Sequence, residues 1–203
     1  MKASKSHELV TDVPASELWN IYGTLRFVQL FHQLLPHVLQ NVEAIKSHEL
    51  VVDVPASELW KIYGTLRLQE LVHQLLPQVL QNFKVIRGDG GVGTVIQVTV
   101  LSPGSSNPVT YTTEFVKIVN KNYILEAPTI EGDVLNLGFT KYVTRFEIIK
   151  KGPSSSVIKS SVAYEFDDAR PELEAAASTT PLALAARAIV KYVKEQKATE
   201  SSS

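Results

Sequence analysis

The first part of the hydrophobic pattern predicts one strand followed by two short helices. Residues 48–54 alternate between polar and apolar side chains, which is typical of a half-buried β-strand. Asp53 and Pro55 signal the start of a helix, because the missing N–H of a proline costs nothing in the first turn. Apolar residues at helical spacing then predict one amphipathic helix that stops near Gly64 and a second that ends at Pro77.

From residue 79 onward the apolar positions change from helical to alternating spacing, which predicts six strands. These strands are expected over residues 79–87, 94–101, 111–119, 123–130, 134–149 and 157–166. Short polar connections separate them, so consecutive strands should pair in an antiparallel meander. Apolar residues return to helical spacing after Pro181 and predict a C-terminal helix of roughly four turns.

The predicted elements specify an α+β domain with a hollow interior. A curved antiparallel sheet must cover its apolar face, and the C-terminal helix is the only predicted element large enough to do so. The inner side of that helix is rich in alanine, including Ala185 and Ala186. Because these side chains are small, we expect a cavity between the helix and the sheet.

The opening segment of the chain is repeated. Residues 5–45 align with residues 46–86 at a constant offset of 41, and ten of the 41 aligned positions differ. Two copies are too few for a solenoid, which needs at least about three repeats to bury a continuous core.

We therefore divide the chain into three parts. Residues 1–45 are a partial duplicate of the first strand and two short helices, residues 46–197 are a complete domain, and residues 198–203 are a disordered tail. The duplicate is either a local tandem duplication, including an artefact of the gene model, or an arm that exchanges into a second molecule. The protein is accordingly expected to be a monomer or a swapped dimer.

Composition and charge narrow the classes of partner. The 203 residues carry a formal net charge of -1 and no basic block, which argues against a nucleic-acid partner. The absence of cysteine excludes disulfides, thiolate catalysis and cysteine-based zinc sites. No apolar run resembles a signal peptide or reaches membrane-spanning length, so we expect no membrane partner and a cytoplasmic location, with the nucleus as a further location.

A glycine-rich segment offers the most conspicuous short motif. Gly88, Gly90, Gly91 and Gly93 match the G-x-G-x-x-G pattern of dinucleotide sites. That mechanism needs a helix N-terminus directly after the glycines, whereas an alternating strand is predicted there. We interpret the glycines as a tight hairpin loop with positive φ values. The five histidines all lie in the repeated region without convergent partners, so we predict no metal and no cofactor.

Five sequence blocks together resemble the Bet v I family of plant pathogenesis-related class 10 proteins. Within that family they resemble the branch of norcoclaurine synthase and norbelladine synthase. The blocks are SHELVVDVPASELWKIYGTLRL (47–68), GDGGVGT (88–94), EGDVLNLGFTKY (131–142), SSVIKSSVAYE (155–165) and TTPLALAARAI (179–189). The resemblance implies a helix-grip fold of the START type, in which a seven-stranded antiparallel sheet surrounds a long C-terminal helix and two short helices.

The resemblance also implies a cavity that binds small hydrophobic plant metabolites or hormones. The protein would then be a carrier, a receptor or a defence-related protein, with a type 2C protein phosphatase as a further partner if it senses a hormone. The residues implied to contact the ligand are Tyr63, Val98, Val100, Tyr111, Thr113, Phe115, Leu125, Phe139, Tyr142, Thr144, Phe146, Ala185 and Ile189.

Catalysis is the alternative to binding alone. The Pictet–Spengler chemistry of norcoclaurine synthase relies on a tyrosine, a glutamate, a lysine and an aspartate that face the cavity. The matching positions here are Tyr111, Thr113, Leu125 and Thr144, so only the tyrosine is retained. Glu114 follows the glutamate position and should point to the opposite face of its strand. We therefore expect a non-catalytic binding protein, with a Pictet–Spengler enzyme or catalytic chaperone of alkaloid biosynthesis that uses Tyr111 as the alternative.

Overall fold

The computed structural model describes residues 41–102 and 104–200. The predicted duplicate, apart from its last five residues, lies outside the described residues, and so does its assignment as a spare segment or an exchange arm. The last five residues of the first copy and the start of the second form the strand β1 (Asn41–Val52), and the second copy also forms the helices α1 (Ala56–Tyr63) and α2 (Arg67–Leu75). The two helices end directly before Gly64 and shortly before Pro77, which confirms the predicted stops.

The remaining strands complete an antiparallel sheet. They are β2 (Leu80–Arg87), β3 (Val95–Val100), β4 (Val109–Glu114), β5 (Lys117–Val119), β6 (Ile124–Gly132), β7 (Phe139–Lys150) and β8 (Ser156–Asp167). Their order is β1-β8-β7-β6-β4-β3-β2, and β5 pairs with β6 beside this path. Within residues 41–102 and 104–200 the sheet has eight strands where seven were expected, because the end of one predicted strand forms the separate three-residue strand β5.

The first strand is longer than the alternating pattern indicated. It pairs with β8 along its whole length, from Asn41 opposite Asp167 to Val52 opposite Ser156. Its side chains alternate between half-buried positions such as Val42 and exposed positions such as Glu43. The last residues of the first repeat therefore belong to the same strand as the start of the second.

Two predicted strands required correction. The strand expected over 111–119 divides into β4 and β5, because the N–H of Phe115 donates to Thr94 on one side and the N–H of Val116 donates to Glu126 on the other. The strand expected over 134–149 begins only at Phe139, because the short helix α3 (Asp133–Asn136) precedes it.

The C-terminal part contains a short helix, α4 (Glu172–Ala176), and the long helix α5 (Thr180–Glu200). The predicted long helix is confirmed, with its proline in the first turn. It continues three residues into the stretch that we expected to be a disordered tail. Ala186 and Ile189 are fully buried on its inner side and belong to a core that also contains Leu59 of α1 and Ile158 of β8.

The glycine segment is a connection between β2 and β3, as predicted. Gly88, Gly90 and Gly93 have positive φ values of 91°, 106° and 86°. The N–H of Gly93 donates to the carbonyl of Phe115 at 2.7 Å, which ties the loop to the neighbouring β-connection. The strand β3, and not a helix, follows the loop, so its backbone lacks the helix N-terminus of a dinucleotide site.

Candidate functional site

A cavity lies between the sheet, α2 and the first turns of α5, and it has two adjoining compartments. The first compartment encloses about 110 Å³ and the second about 120 Å³. Each volume is several times the roughly 10–15 Å³ that a cavity needs to hold one water, so each compartment has room for a group of waters or a small aromatic ring. The residues that line both compartments are Val100, Tyr111, Thr144, Pro181 and Leu182.

Strand alternation explains why these side chains meet on one face. Val98 on β3 lies opposite Tyr111 on β4, and Ile96 lies opposite Thr113. Paired residues of adjacent strands point to the same side of a sheet, as do residues two apart along one strand. On the other side of the cavity, β6 and β7 repeat the arrangement in two register pairs, Leu125–Phe146 and Ala127–Thr144.

The structure brings together most of the residues that the sequence singled out. Those that line the first compartment are Val98, Val100, Tyr111, Thr113, Phe115, Leu125, Thr144, Phe146 and Ala185. Phe139 and Tyr142 line the second compartment. Tyr63 and Ile189 line neither compartment, because both are buried in the core. The ring of Tyr63 packs edge-on behind the cavity wall, 5.5 Å from the ring of Phe146.

The helix α2 contributes lining residues that the sequence analysis did not single out. Leu68 and Val72 lie on its apolar side, so the helical spacing contained the signal for them. Gln69 also lines the first compartment, although a polar residue next to an apolar stripe would ordinarily face solvent. The repeat contained a signal, because the equivalent residue there is the apolar Val28, which indicates an inward-facing position.

Tyr111 brings a hydrogen-bond donor to the cavity. Its phenol lies at the wall shared by the two compartments. Burial raises the pKa of Tyr111 to about 12, because the charged phenolate would lose its hydration. The hydroxyl therefore keeps its proton at neutral pH and can donate it in a hydrogen bond. Burial, together with the neighbouring Tyr111 and Tyr164, also raises the pKa of Tyr142.

The other polar positions of the cavity are hydroxyls or amides. Thr113 Oγ1 donates to the carbonyl of Pro128 at 2.7 Å, so its proton is already used within the sheet. Thr144 lines both compartments, and Leu125 is buried and apolar. Among the described residues, none of those lining either compartment carries a charge.

Glu114 lies on the outer face of the sheet, as strand alternation predicted. Its Oε1 atom is 3.4 Å from Nη2 of Arg87, whose side chain is 67% exposed. The carboxylate next to the expected glutamate position consequently cannot replace it in the cavity. Over residues 41–102 and 104–200, no group of three His, Asp or Glu side chains could hold a metal ion.

The helices of the described region were also compared with the requirements of a membrane span. None of the helices between residues 41 and 200 is both long enough and apolar enough to cross a membrane.

Comparison with known proteins gives consistent matches. The model of the pathogenesis-related protein Bet v 1 family matches residues 43–195. Norbelladine synthase of Narcissus pseudonarcissus is 41% identical over 197 residues, which cover 97% of this chain and 95% of that protein. S-norcoclaurine synthase of Thalictrum flavum subsp. glaucum is 34% identical over 200 residues, covering 97% of this chain and 73% of that protein.

Solved structures agree with the sequence matches. A structure of norcoclaurine synthase from Thalictrum flavum in complex with dopamine and hydroxybenzaldehyde superposes with a TM-score of 0.68 at 29% identity, covering 94% of this chain and 98% of that one. A point mutant of a norcoclaurine synthase with a transition-state analogue gives a TM-score of 0.69 at 35% identity, covering 77% and 98% of the two chains.

Proposed function

The chain belongs to the pathogenesis-related protein Bet v 1 family, and on that premise we propose that its cavity binds an arylethylamine and an aromatic aldehyde and promotes their condensation. The observation that carries this proposal is the position of Tyr111, a protonated phenol at the wall between two compartments of similar size. Two relationships support it. Norbelladine synthase is 41% identical along nearly its whole length, and a norcoclaurine synthase binds dopamine and hydroxybenzaldehyde together.

The condensation needs a donor at the carbonyl oxygen. The amine lone pair forms a bond to the aldehyde carbon while the C=O π electrons move to oxygen. One proton of the new ammonium nitrogen transfers to that oxygen to give a carbinolamine. The hydroxyl group then leaves with the second nitrogen proton as water, which gives an imine. Tyr111 can donate a hydrogen bond to the oxygen on which negative charge develops, and one such preorganised donor typically contributes about 2.7–4 kcal/mol. Holding both reactants in adjoining compartments adds the advantage of proximity.

We infer that the reaction ends at the imine. A Pictet–Spengler ring closure continues with attack of the aromatic ring on the iminium carbon and removal of a ring proton by a base. The positions that resemble the acid–base groups of norcoclaurine synthase are Thr113, Leu125 and Thr144. None of these side chains is a base at neutral pH, and the hydroxyl proton of Thr113 is bonded to Pro128.

A non-catalytic carrier is the second candidate function. The absence of charge among the described lining residues favours it, because an apolar cavity binds ligands mainly by burying their apolar surface, at roughly 25 cal/mol per Å². In that case the ligand is a small hydrophobic plant metabolite or hormone, and signalling through a type 2C protein phosphatase stays a prediction.

One kinetic experiment separates the two functions. The full-length protein is incubated with dopamine and a hydroxybenzaldehyde, the imine is reduced with borohydride, and the initial rate is compared with that in buffer alone. We expect a protein-dependent rate that falls at least tenfold in Tyr111→Phe and less than threefold in the matched variant Tyr123→Phe, because Tyr123 lines neither compartment. Ligand binding without any rate above buffer would establish the carrier.

A second substrate pair tests where the reaction ends. With dopamine and 4-hydroxyphenylacetaldehyde, which can form a ring-closed product, we expect no enantiomeric excess. A ring-closed product with enantiomeric excess would show that the protein completes the Pictet–Spengler reaction.

A further inference from the structure

Gln69 brings a buried amide oxygen to the wall of the first compartment. It lies in the first turn of α2, between the cavity residues Leu68 and Val72, which are apolar and buried. The Oε1 atom is enclosed by protein and has no hydrogen-bond partner among the described residues. A buried acceptor has lost its hydrogen bond to water, so this arrangement is unfavourable unless a donor reaches it.

Neither the helix nor its packing requires an amide at this position. The repeated segment has Val28 at the equivalent position, and the neighbouring lining residues of α2 are apolar. Gln74, the other glutamine of this helix, lies on the exposed side, where water satisfies its amide. Gln69 is therefore an isolated acceptor in an otherwise apolar section of the wall.

The chemistry of the acceptor selects the ligand group that it can bind. An amide oxygen accepts a hydrogen bond, so it needs an N–H or O–H group. The carbonyl of an aldehyde is itself only an acceptor and is complementary to the hydroxyl of Tyr111. The reacting amine must direct its lone pair at the carbonyl carbon. Its N–H groups are common to hydroxylated and unhydroxylated arylethylamines, whereas a phenolic hydroxyl is a donor that only the hydroxylated rings carry. That hydroxyl enters the cavity uncharged because its ordinary pKa is about 10.

We propose that Gln69 Oε1 accepts a hydrogen bond from a phenolic hydroxyl of the bound aromatic ligand and makes the cavity selective for hydroxylated rings. The class of ligand rests on the function proposed above. The selectivity itself concerns the binding of one aromatic molecule alone, so it can be measured without any reaction.

The test uses two matched ligand pairs and equilibrium binding to the full-length protein by titration calorimetry. One pair is tyramine and 2-phenylethylamine, and the other is 4-hydroxybenzaldehyde and benzaldehyde. We expect the wild type to bind the hydroxylated member of one pair about tenfold more tightly, the value of one neutral hydrogen bond. Gln69→Val should reduce this preference to less than about twofold, and Gln74→Val should leave it unchanged.

The pair in which the preference disappears identifies whether the amine or the aldehyde carries the bonded hydroxyl. The proposal fails if the wild type shows no preference in either pair, or if Gln69→Val retains it. It also fails if the variant weakens both members of a pair equally, because a purely structural role would act on both. If Gln69→Val does not fold by circular dichroism, Gln69→Leu supplies the same test with a closer side-chain volume. A protein that discriminates between the ligands but does not condense them would retain this selectivity and refute only the proposed reaction.

Discussion

Introducing a lysine at Leu125, the position that we matched to the lysine of norcoclaurine synthase, measures how far the cavity excludes water. Leu125 is 2% exposed, and the described lining residues offer no carboxylate to pair with an ammonium. A fully buried lysine has its pKa lowered by about 3–5 units from an ordinary value of about 10.4. The lysine introduced by Leu125→Lys should therefore lose its proton in the folded protein with a pKa of about 5.4–7.4, whereas in the unfolded chain it stays charged up to about pH 10.4.

The cost follows from the difference between the two pKa values. Each pKa unit is worth 1.36 kcal/mol. Because the lysine gives up its proton when the chain folds, the free energy of unfolding at pH 7 should be lower by about 4–5 kcal/mol. The unfolded chain binds the extra proton, so stability rises with pH, by about 1.4 kcal/mol per pH unit up to the unfolded pKa. A domain of ordinary stability, about 5–15 kcal/mol, is then marginal at pH 7 and recovers toward pH 9.

Urea unfolding between pH 6.5 and 9.5 measures this effect, with Leu125→Met as a neutral control of similar volume. We expect the stability difference between the two variants to shrink by about 1.4 kcal/mol per pH unit. Thr144 lies diagonally across β6 and β7 from Leu125, because its register partner is Ala127. Adding Thr144→Asp should therefore place a carboxylate within reach, raise the pKa of the lysine and flatten the slope. A lysine variant as stable as the methionine control at pH 7 would refute the reasoning, since it would mean that water solvates the charge.

Three further predictions use other parts of the chain. Deleting residues 1–40 should leave a folded, ligand-binding domain, since residues 41–203 form a compact unit by themselves; circular dichroism and ligand titration test this, and an insoluble product would contradict it. Gly88→Ala should lower the free energy of unfolding, measured by chemical denaturation, by at least about 2 kcal/mol, and by clearly more than Gly93→Ala does. Both glycines have positive φ, but only at Gly88 would a Cβ atom lie 2.7 Å from the Thr94 backbone, so equal costs would be inconsistent with this contact. The ratio of wild-type to Tyr111→Phe rates should stay constant from pH 7 to pH 10, because the pKa of Tyr111 is about 12; a ratio that falls over this range would show a phenol that titrates earlier.

The elements that the sequence predicted are those whose identity depends on local periodicity. The alternation of Val98 and Val100, and of Tyr111 and Thr113, was enough to assign these pairs to one face of the sheet. The short helix α3 and the strand β5 were not predictable in this way. Each is only three or four residues long, too short to show a period. The start of α3 is also fixed by a contact distant in sequence, the hydrogen bond from the N–H of Thr110 to Asp133 Oδ2.

The residues of the candidate site likewise divide into those that periodicity predicts and those that it does not. Periodicity indicates that Tyr63 and Ile189 face inward, but two inward environments exist, the packed core and the cavity. Which of these a side chain reaches depends on the packing of α1 and α5 over the sheet. Gln69 is the opposite case, because its polar side chain indicates solvent while the position of α2 turns it toward the cavity. Single-sequence patterns assign faces of elements, and the assembly of those elements assigns the cavity.

The register of the sheet makes binding and catalysis separable in this fold. Thr113, Leu125 and Thr144 lie at cavity positions on three different strands, and each is paired through its backbone with a neighbouring strand, Thr113 next to a bulge between β4 and β6. Exchanging an ionisable side chain for a neutral one at such a position leaves the ladder intact, because strand pairing uses only backbone groups. The neutral side chain can instead form a hydrogen bond within the sheet, as Thr113 Oγ1 does by donating to the carbonyl of Pro128. Under the proposed function, a cavity lined by tyrosines and no base can still hold an aldehyde and an amine but has no group to remove a ring proton. Restoring the ionisable groups at these three positions should accordingly restore ring closure without altering the sheet, whereas the same changes at outward neighbours such as Glu114 should have no effect on the reaction.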